Sequence, residues 1–339
     1  MKNGLPIKID LPEGFLEAET RCGHFVSKEM KEVWAVELDL LSELLRVCKK
    51  HNLKIFASDG TLLGAIRHKG FIPWDDDIDM MMFREDYEKL CEVAPKEFKE
   101  PYFFQTEHNT AGHIRLLARL INSRTTGIQL EEKNFYAPPF NQGIFIDIFP
   151  LDAVIDDKEL FAQQCKEAKH YLSKIWKYSS LSSRYDKNAT KGLKGAVKAM
   201  LYPFTNVLIR KLKLERKAFR KFEDICKRYN HRNTKAVAVF WNGCNTLSQE
   251  QKKLRKFNHI NTKTVLNSFE KFFIDRRNFE EIIEVPFEFL SIPAGKMYEN
   301  MLTQRYGDWK KLVKGAAFHD GIFFDPRKSY THYVKCGRK

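Results

Sequence analysis

Four aspartates crowd into one short stretch, which reads Asp75, Asp76, Asp77, Ile78 and Asp79. On a strand, Asp77 and Asp79 would point to the same side, because side chains alternate between the two faces. Two carboxylates about 4 Å apart repel each other by roughly 4 kcal/mol at an effective dielectric near 20, and a divalent cation removes that cost. Carboxylate oxygens favour Mg²⁺, or Mn²⁺, over a thiolate-binding metal. The stretch therefore predicts a magnesium site suited to phosphoryl transfer.

An ordinary exposed acidic turn is the alternative explanation for these aspartates. Their neighbours argue against it, since Trp74 and the apolar run Met80, Met81 and Met82 flank the acids. Carboxylates buried among such residues without a partner would be costly. A bound cation supplies that partner, so we favour the metal site.

A third carboxylate, Asp147, lies inside the apolar run GIFIDIFP at residues 143–150. A lone buried aspartate needs a partner, and a three-carboxylate metal site with Asp77 and Asp79 supplies one. Asp147 could also accept the proton of an attacking hydroxyl group. We therefore predict Asp77, Asp79 and Asp147 as the catalytic and metal-binding residues. Asp152, just after Pro150, is open between a substrate contact and an ordinary turn or cap residue.

A glycine turn and a cationic stretch precede the aspartates. Gly60 would let backbone N–H groups approach a phosphate closely, and Thr61 adds a hydroxyl group. Arg67 could grip phosphate oxygens with its planar fork, next to His68 and Lys69. A solvated loop is the alternative for this cationic stretch.

Helices and strands in alternation must position these side chains. Apolar residues at helical spacing predict an amphipathic helix over residues 28–50, with Ser27 as its N-cap. Strands are predicted over 53–57, 77–83 and 143–149, the last closed by Pro150, and a helix over 84–93. This mixture predicts an α+β fold. We expect a catalytic core at residues 1–155, a basic helical insertion at 156–265 and a C-terminal segment at 266–339 that returns to the core.

The net charge of +14 comes mostly from the middle of the chain, where residues 156–232 hold 20 Lys and Arg against 8 Asp and Glu. Such a segment favours an anionic partner, or else it is a solvated helical face. The seven cysteines are scattered, odd in number and without a CxxC pair, so disulfides and structural zinc are not expected. The cysteines favour a reducing, cytoplasmic compartment. With no run of 18 or more apolar residues, we do not expect a membrane-spanning segment.

Taken together, the motifs resemble those of the LicD family of phosphotransferases, which includes fukutin-like enzymes. The matching runs are DGTLLGAIRH at 59–68, GFIPWDDDID at 70–79, IDIFPLD at 146–152, IPA at 292–294 and YGDW at 306–309. The resemblance implies a nucleotidyltransferase-like mixed sheet with flanking helices. It also implies the metal role of Asp77, Asp79 and Asp147. Arg119 lies where the family tends to place Lys, and Thr125 follows at the expected place. The predicted substrate-binding residues are Gly60, Thr61, Arg67, His68, Lys69, Trp74, Asp75, Asp76, Arg119, Thr125 and Asp152.

The resemblance further implies transfer of a phosphorylated alcohol, such as phosphocholine or an alditol phosphate. The donor would be CDP-linked, the acceptor a hydroxyl of a cell-surface glycan or its lipid-linked precursor, and the leaving group CMP. Residues 196–213 mix apolar and basic side chains and could contact the anionic inner leaflet of the membrane, or pack on the core. A nucleotidyltransferase acting on RNA or a small molecule, and a non-catalytic protein of the same fold, are the alternatives. We do not expect a nucleic-acid partner.

Overall fold

A mixed seven-stranded sheet carries the core of the chain, in a computed structural model that describes residues 3–110, 115–129, 140–182, 204, 207–209, 211–253, 261–313 and 321–333. Its strands are β3 (Phe56–Ala57), β4 (Asp79–Phe83), β5 (Tyr102–Gln105), β6 (Ala118–Asn122), β8 (Ile144–Val154), β9 (Ala236–Ala238) and β10 (Phe273–Asp275). Two-stranded pairs are formed by β1 (Glu19–Arg21) with β2 (His24–Val26), β7 (Thr126–Gln129) with β13 (Ile322–Asp325), and β11 (Ile282–Phe287) with β12 (Leu290–Gly295).

Helices flank this sheet, so the α+β class predicted from the sequence is confirmed. They are α1 (Lys28–Lys50), α2 (Asp59–His68), α3 (Arg84–Glu97), α4 (Lys158–Ser182), α5 (Leu214–Cys226), α6 (Phe240–Lys253), α7 (Thr262–Phe269) and α8 (Tyr298–Tyr306). The first has the predicted bounds, and the Ser27 hydroxyl accepts a hydrogen bond from the Met30 N–H group at 3.2 Å. None of the helices within the described residues could span a lipid bilayer.

The longest strand of the main sheet, β8, is also its centre. Along one edge it pairs in parallel with β4, and along the other it pairs antiparallel first with β6 and then with β9. The predicted end at Pro150 was wrong, because β8 continues to Val154. Pro150 lacks an N–H group, and it falls between the last residue paired with β6, Ile148, and the first paired with β9, Asp152. A proline is tolerated where no ladder bond is needed.

Two boundaries near the aspartates differ from the prediction. Strand β4 begins at Asp79, so Asp77 lies in the preceding loop and its direction does not follow from strand alternation. The turn predicted at Gly60 is instead the first turn of helix α2, which already begins at Asp59. The chain after α2 then runs back along this helix. Gly64 leaves room for the backbone at Gly70 and Ile72, and a Cβ on Gly60 would lie 2.6 Å from the Asp75 carboxylate.

The helices α4 to α7 enclose an apolar core of their own, in which the rings of Phe161, Phe240 and Phe269 meet edge to face. Strand β9 extends the main sheet from within the segment predicted as a helical insertion, and β10 pairs with β9. The predicted domain limits stay a prediction. Most of the segment 196–213 lies outside the described residues. The described cysteines all carry free thiols.

Candidate active site

Asp79 and Asp147 lie directly opposite each other on the neighbouring parallel strands β4 and β8. The Asp147 N–H group donates to the Ile78 carbonyl at 2.9 Å, which fixes this register. Paired residues point to the same face of a sheet, so the two carboxylates share one side. Thr61 lies beside them, because its hydroxyl oxygen accepts a hydrogen bond from the Asp79 N–H group at 2.8 Å. Thr61 therefore positions Asp79. Its contact with a phosphate stays a prediction.

The loop before β4 adds three more carboxylates. Carboxylate oxygens of Asp75, Asp76 and Asp77 lie within 4.8 Å of one another. The Trp34 indole N–H group donates to the Asp75 carbonyl at 3.0 Å, so helix α1 holds this loop in place. The loop thus offers several hard oxygen donors at one place, and Asp79 lies outside this group of three. This donor set fits Mg²⁺ or Mn²⁺, which prefer carboxylate oxygens.

Several acidic side chains lie close together around Asp79. Burial, together with the charges of Asp77 and Asp147, raises the pKa of Asp79 well above its usual range. On helix α1, burial and then the charges of Asp77 and Asp76 raise the pKa of Glu37 well above the ordinary value. A bound cation would offset this mutual repulsion.

Arg119 lies next to the paired aspartates, because β6 places it opposite Asp147. Its Nε donates to one Asp147 carboxylate oxygen at 2.7 Å and its Nη2 to the other at 3.2 Å. Its guanidinium carbon also lies 3.6 Å from the centre of the Phe145 ring. Arg119 is thus held on two sides and orients the Asp147 carboxylate.

Gln105 and Glu37 extend this polar site, and sequence reasoning did not find either of them. Gln105 lies opposite Arg119 on β5, so Asp79, Asp147, Arg119 and Gln105 form one row across four strands. Both Gln105 and Glu37 are 1% exposed. In the described part of the chain, the Gln105 amide nitrogen and one Glu37 carboxylate oxygen have no hydrogen-bond partner. Glu37 could have been found as an acidic residue on the apolar face of a predicted helix. No feature of the sequence pointed to Gln105.

Asp152 lies in an internal ion pair rather than in the row. Its two carboxylate oxygens accept hydrogen bonds from Arg84 at 2.8 and 2.5 Å, and Asn230 donates to one of them at 2.8 Å. Asp152 is 1% exposed. The alternative of a turn or cap residue was wrong, because Asp152 lies within β8, and its contact with substrate stays a prediction.

The Thr125 hydroxyl is also used within the fold. Thr125 is fully buried; its hydroxyl donates to the Asn122 carbonyl at 2.8 Å and accepts from the Ile144 N–H group at 2.8 Å. The hydroxyl thus secures the start of β8, three residues before Asp147. Its predicted contact with substrate stays a prediction.

Arg67, His68 and Lys69 lie at the far end of α2 from the paired aspartates. Arg67 follows Thr61 by six positions, which is about 9 Å along the helix axis. Arg67 donates to the carbonyls of Trp309 and Lys311 at 2.9 and 3.3 Å. Burial, followed by the charge of Arg67, lowers the pKa of His68 to about 4, so His68 is neutral at pH 7.

Trp74 connects this end of α2 with the acidic loop. Its ring meets the His68 ring edge on, with 6.4 Å between the ring centres, and meets His24 similarly at 5.9 Å. The structure therefore brings Thr61, Asp75 to Asp77, Asp79, Asp147 and Arg119 together. It places the stretch 67–69 on the other side of Trp74.

Comparison with known proteins identifies the family whose sequences this chain resembles. Residues 52–178 match the family described as LicD/FKTN/FKRP, nucleotidyltransferase domain. The chain is 27% identical over 287 residues to the lipopolysaccharide cholinephosphotransferase LicD of Haemophilus influenzae, covering 84% of this chain and 92% of that protein. A shorter match, 40% identical over 57 residues, is to an uncharacterized protein of Rickettsia prowazekii and covers 17% of this chain and 21% of that protein.

Proposed function

The chain belongs to the LicD family, and we propose that it transfers a phosphorylated alcohol from a CDP-linked donor to a glycan hydroxyl. The observation that carries this proposal is the pairing of Asp79 with Asp147, next to the acidic loop 75–77. Phosphocholine is the first candidate for the transferred group, because the relative from Haemophilus influenzae is named a cholinephosphotransferase. An alditol phosphate is the second. The name of that relative also supports a lipopolysaccharide-like glycan, or its lipid-linked precursor, as the acceptor.

In the proposed reaction, the acceptor hydroxyl oxygen forms a bond to the phosphorus that carries the alcohol. The bond from that phosphorus to the CMP oxygen breaks, so CMP leaves with the electron pair. Asp147 takes the proton of the attacking hydroxyl, and Arg119 holds its carboxylate in place. Asp79 and Asp77 would hold Mg²⁺, which when bound neutralises the negative charge of the diphosphate. The N–H groups in the first turn of α2, at Gly60 and Thr61, are free of helical partners and suit a phosphate oxygen.

We propose that the reaction takes place in the cytoplasm. When the acceptor is lipid-linked, it takes place at the inner face of the membrane. The free thiols of the described cysteines support a reducing compartment. The basic middle of the chain supports attraction to anionic lipids.

The test is incubation with CDP-choline, CDP-ribitol or CDP-glycerol, Mg²⁺ and a glycan acceptor, followed by measurement of CMP release. We expect release from one of these donors, and loss of it in Asp79→Asn. The matched control is Asp224→Asn, since Asp224 is an exposed acid on α5. Full activity of Asp79→Asn would contradict the proposal. Pyrophosphate release from nucleoside triphosphates, without CMP release, would favour nucleotidyl transfer instead.

A further inference from the structure

Residues 69–74, named here the entry loop, lead from the end of α2 to the acidic loop 75–77. A change in the path of the entry loop would move the carboxylates that follow it. Glu288 reaches the entry loop from the two-residue turn between β11 and β12, where Phe287 pairs with Leu290. This hairpin lies outside the family match, so a separate part of the chain contacts the entry loop.

Glu288 contacts the backbone of the entry loop at two points. Its carboxylate accepts a hydrogen bond from the Phe71 N–H group at 3.1 Å, and its own N–H group donates to the Lys69 carbonyl at 2.7 Å. Gly70 lies between these points, and a Cβ added there would collide with a carboxylate oxygen of Glu288. The glycine therefore lets the carboxylate approach the backbone.

Arg21 on β1 fixes the direction of the Glu288 carboxylate. Its Nη1 donates to one carboxylate oxygen at 2.5 Å and its Nη2 to the other at 2.9 Å. A two-point contact of this kind sets the orientation of both groups. The Glu288 side chain is 6% exposed, so solvent screens this pair less than a surface pair.

Trp34 on α1 connects these contacts with the acidic loop. The Arg21 guanidinium carbon lies 5.4 Å from the centre of its ring, and the ring stacks on Phe71 with 4.5 Å between the ring centres. The Trp34 indole N–H group donates to the Asp75 carbonyl. Glu288 and Trp34 thus hold the chain at the beginning and at the end of the entry loop.

The backbone of Glu288 gives no reason for a glutamate at this position. Its φ of 55° lies in the left-handed region, which favours glycine. Two-residue hairpin turns commonly carry glycine where φ is positive. The contacts that the side chain makes with Arg21 and Phe71 offset the strain of this conformation.

We propose that Glu288 is a positioning residue for the cation site: it fixes the path of the entry loop and so places Asp77 for the divalent cation. The inference rests on the metal site of the proposed function and adds a residue of the C-terminal segment on which that site depends. Glu288 touches neither the cation nor the substrate. Without its carboxylate the cation would have to order the entry loop as it binds, which weakens binding.

Titration of the whole chain with Mn²⁺, with the free ion measured by electron paramagnetic resonance, tests this role without donor or acceptor. Glu288→Gly removes the carboxylate and favours the turn, so the hairpin should persist. The Kd for Mn²⁺ should rise about tenfold, which is close to the cost of ordering one residue. Glu288→Gln keeps an oxygen that can accept from the Phe71 N–H group, so its Kd should rise less.

Two controls separate positioning from a general loss of stability. Glu284→Gln changes an exposed carboxylate on the same hairpin, which accepts a hydrogen bond from Ser291. Glu97→Gln changes a carboxylate that contacts Lys50, about 24 Å along α1 from Trp34. Both controls should bind Mn²⁺ as the unmodified protein does. In hydrogen exchange without metal, residues 69–77 should exchange faster in Glu288→Gly than in either control.

Unchanged Mn²⁺ affinity in Glu288→Gly would overturn the positioning role and leave the proposed function intact. An equal loss of affinity in Glu97→Gln, or exchange at 69–77 no faster than in the controls, would overturn it as well. Circular dichroism checks that each variant is folded. If Glu288→Gly does not fold, Glu288→Gln decides, and an affinity equal to that of Glu284→Gln would overturn the role.

If the unmodified protein bound no Mn²⁺, the positioning role would fall together with the metal site. Measurement of CMP release from CDP-choline, CDP-ribitol and CDP-glycerol would then show separately whether the transfer reaction also fails.

Discussion

Arg119 grips both carboxylate oxygens of Asp147 while its guanidinium lies over the Phe145 ring. A carboxylate offers about four lone-pair directions, and this two-point contact uses one on each oxygen. Each oxygen keeps a direction in which it can meet a cation or a proton. Arg119 thus fixes the position of Asp147 and leaves it able to react.

The two-point contact predicts graded effects of substitution at Arg119. Arg119→Lys keeps the charge but loses one charged hydrogen bond, worth roughly 1.5–3 kcal/mol, so kcat for CMP release should fall by about ten- to a hundredfold. Arg119→Met, which loses the charge as well, should cost about a hundredfold or more. Arg46→Met is the control, since Arg46 is an exposed arginine on α1. Equal rates for Arg119→Met and this control would contradict the assignment.

Mg²⁺ should raise the thermal stability of the protein, because a ligand that binds only the folded state stabilises it. At a Mg²⁺ concentration 100 times the Kd, the gain is about 2.7 kcal/mol. Asp79→Asn and Asp77→Asn should remove most of this gain. Without metal, Asp79→Asn should be at least as stable as the unmodified protein, since one repelling charge is gone. A Tm rise with Mg²⁺ in Asp79→Asn equal to that in Asp224→Asn would argue against the metal site.

Asp152→Asn should unfold more easily without altering the active site. Its carboxylate and the Arg84 guanidinium form a buried ion pair, and breaking such a pair costs roughly 3–5 kcal/mol. Denaturant unfolding measures this loss, and KM for the donor should not change. Glu88→Gln is the control, because Glu88 forms an exposed pair with Lys227, worth about 0–1 kcal/mol. A raised KM with unchanged stability would instead assign Asp152 to substrate binding.

Replacement of each of the two glycines of α2 by alanine should affect stability and Mg²⁺ binding differently. At Gly64 the added methyl group meets backbone at Gly70 and Ile72, so Gly64→Ala should lower the free energy of unfolding by roughly 1–3 kcal/mol. At Gly60 it meets the Asp75 carboxylate, which can move. Gly60→Ala should therefore cost less stability but weaken the stabilisation by Mg²⁺. Identical effects of the two variants, measured by thermal unfolding with and without Mg²⁺, would contradict this account.

Local signals predicted some elements well and failed at others for identifiable reasons. Helix α1 followed from apolar spacing and its N-cap at Ser27, both of which are local. The end of β8 was missed because a proline usually stops a strand, and only the positions of β6 and β9 show why Pro150 is tolerated. The start of β4 was missed because the acidic loop continues the strand-like pattern up to Asp79.

Within the site, the residue types predicted which carboxylates lie together but not which residues surround them. The cost of an isolated buried Asp147 already pointed to a partner, and the structure sets it beside Asp79. Gln105 could not be foreseen, because its place beside Arg119 depends on strand pairing.

The pairing of β9 with the second half of β8 bears on where this chain can be cut. A fragment limited to the family match at 52–178 would lose α1, which contacts β8 and β6, and would end inside α4. It would also leave the N–H and C=O groups of residues 152–154 as an open sheet edge. Such edges promote aggregation. We therefore expect that the matched segment 52–178 does not fold on its own, and shortened versions should be designed to keep residues 236–238.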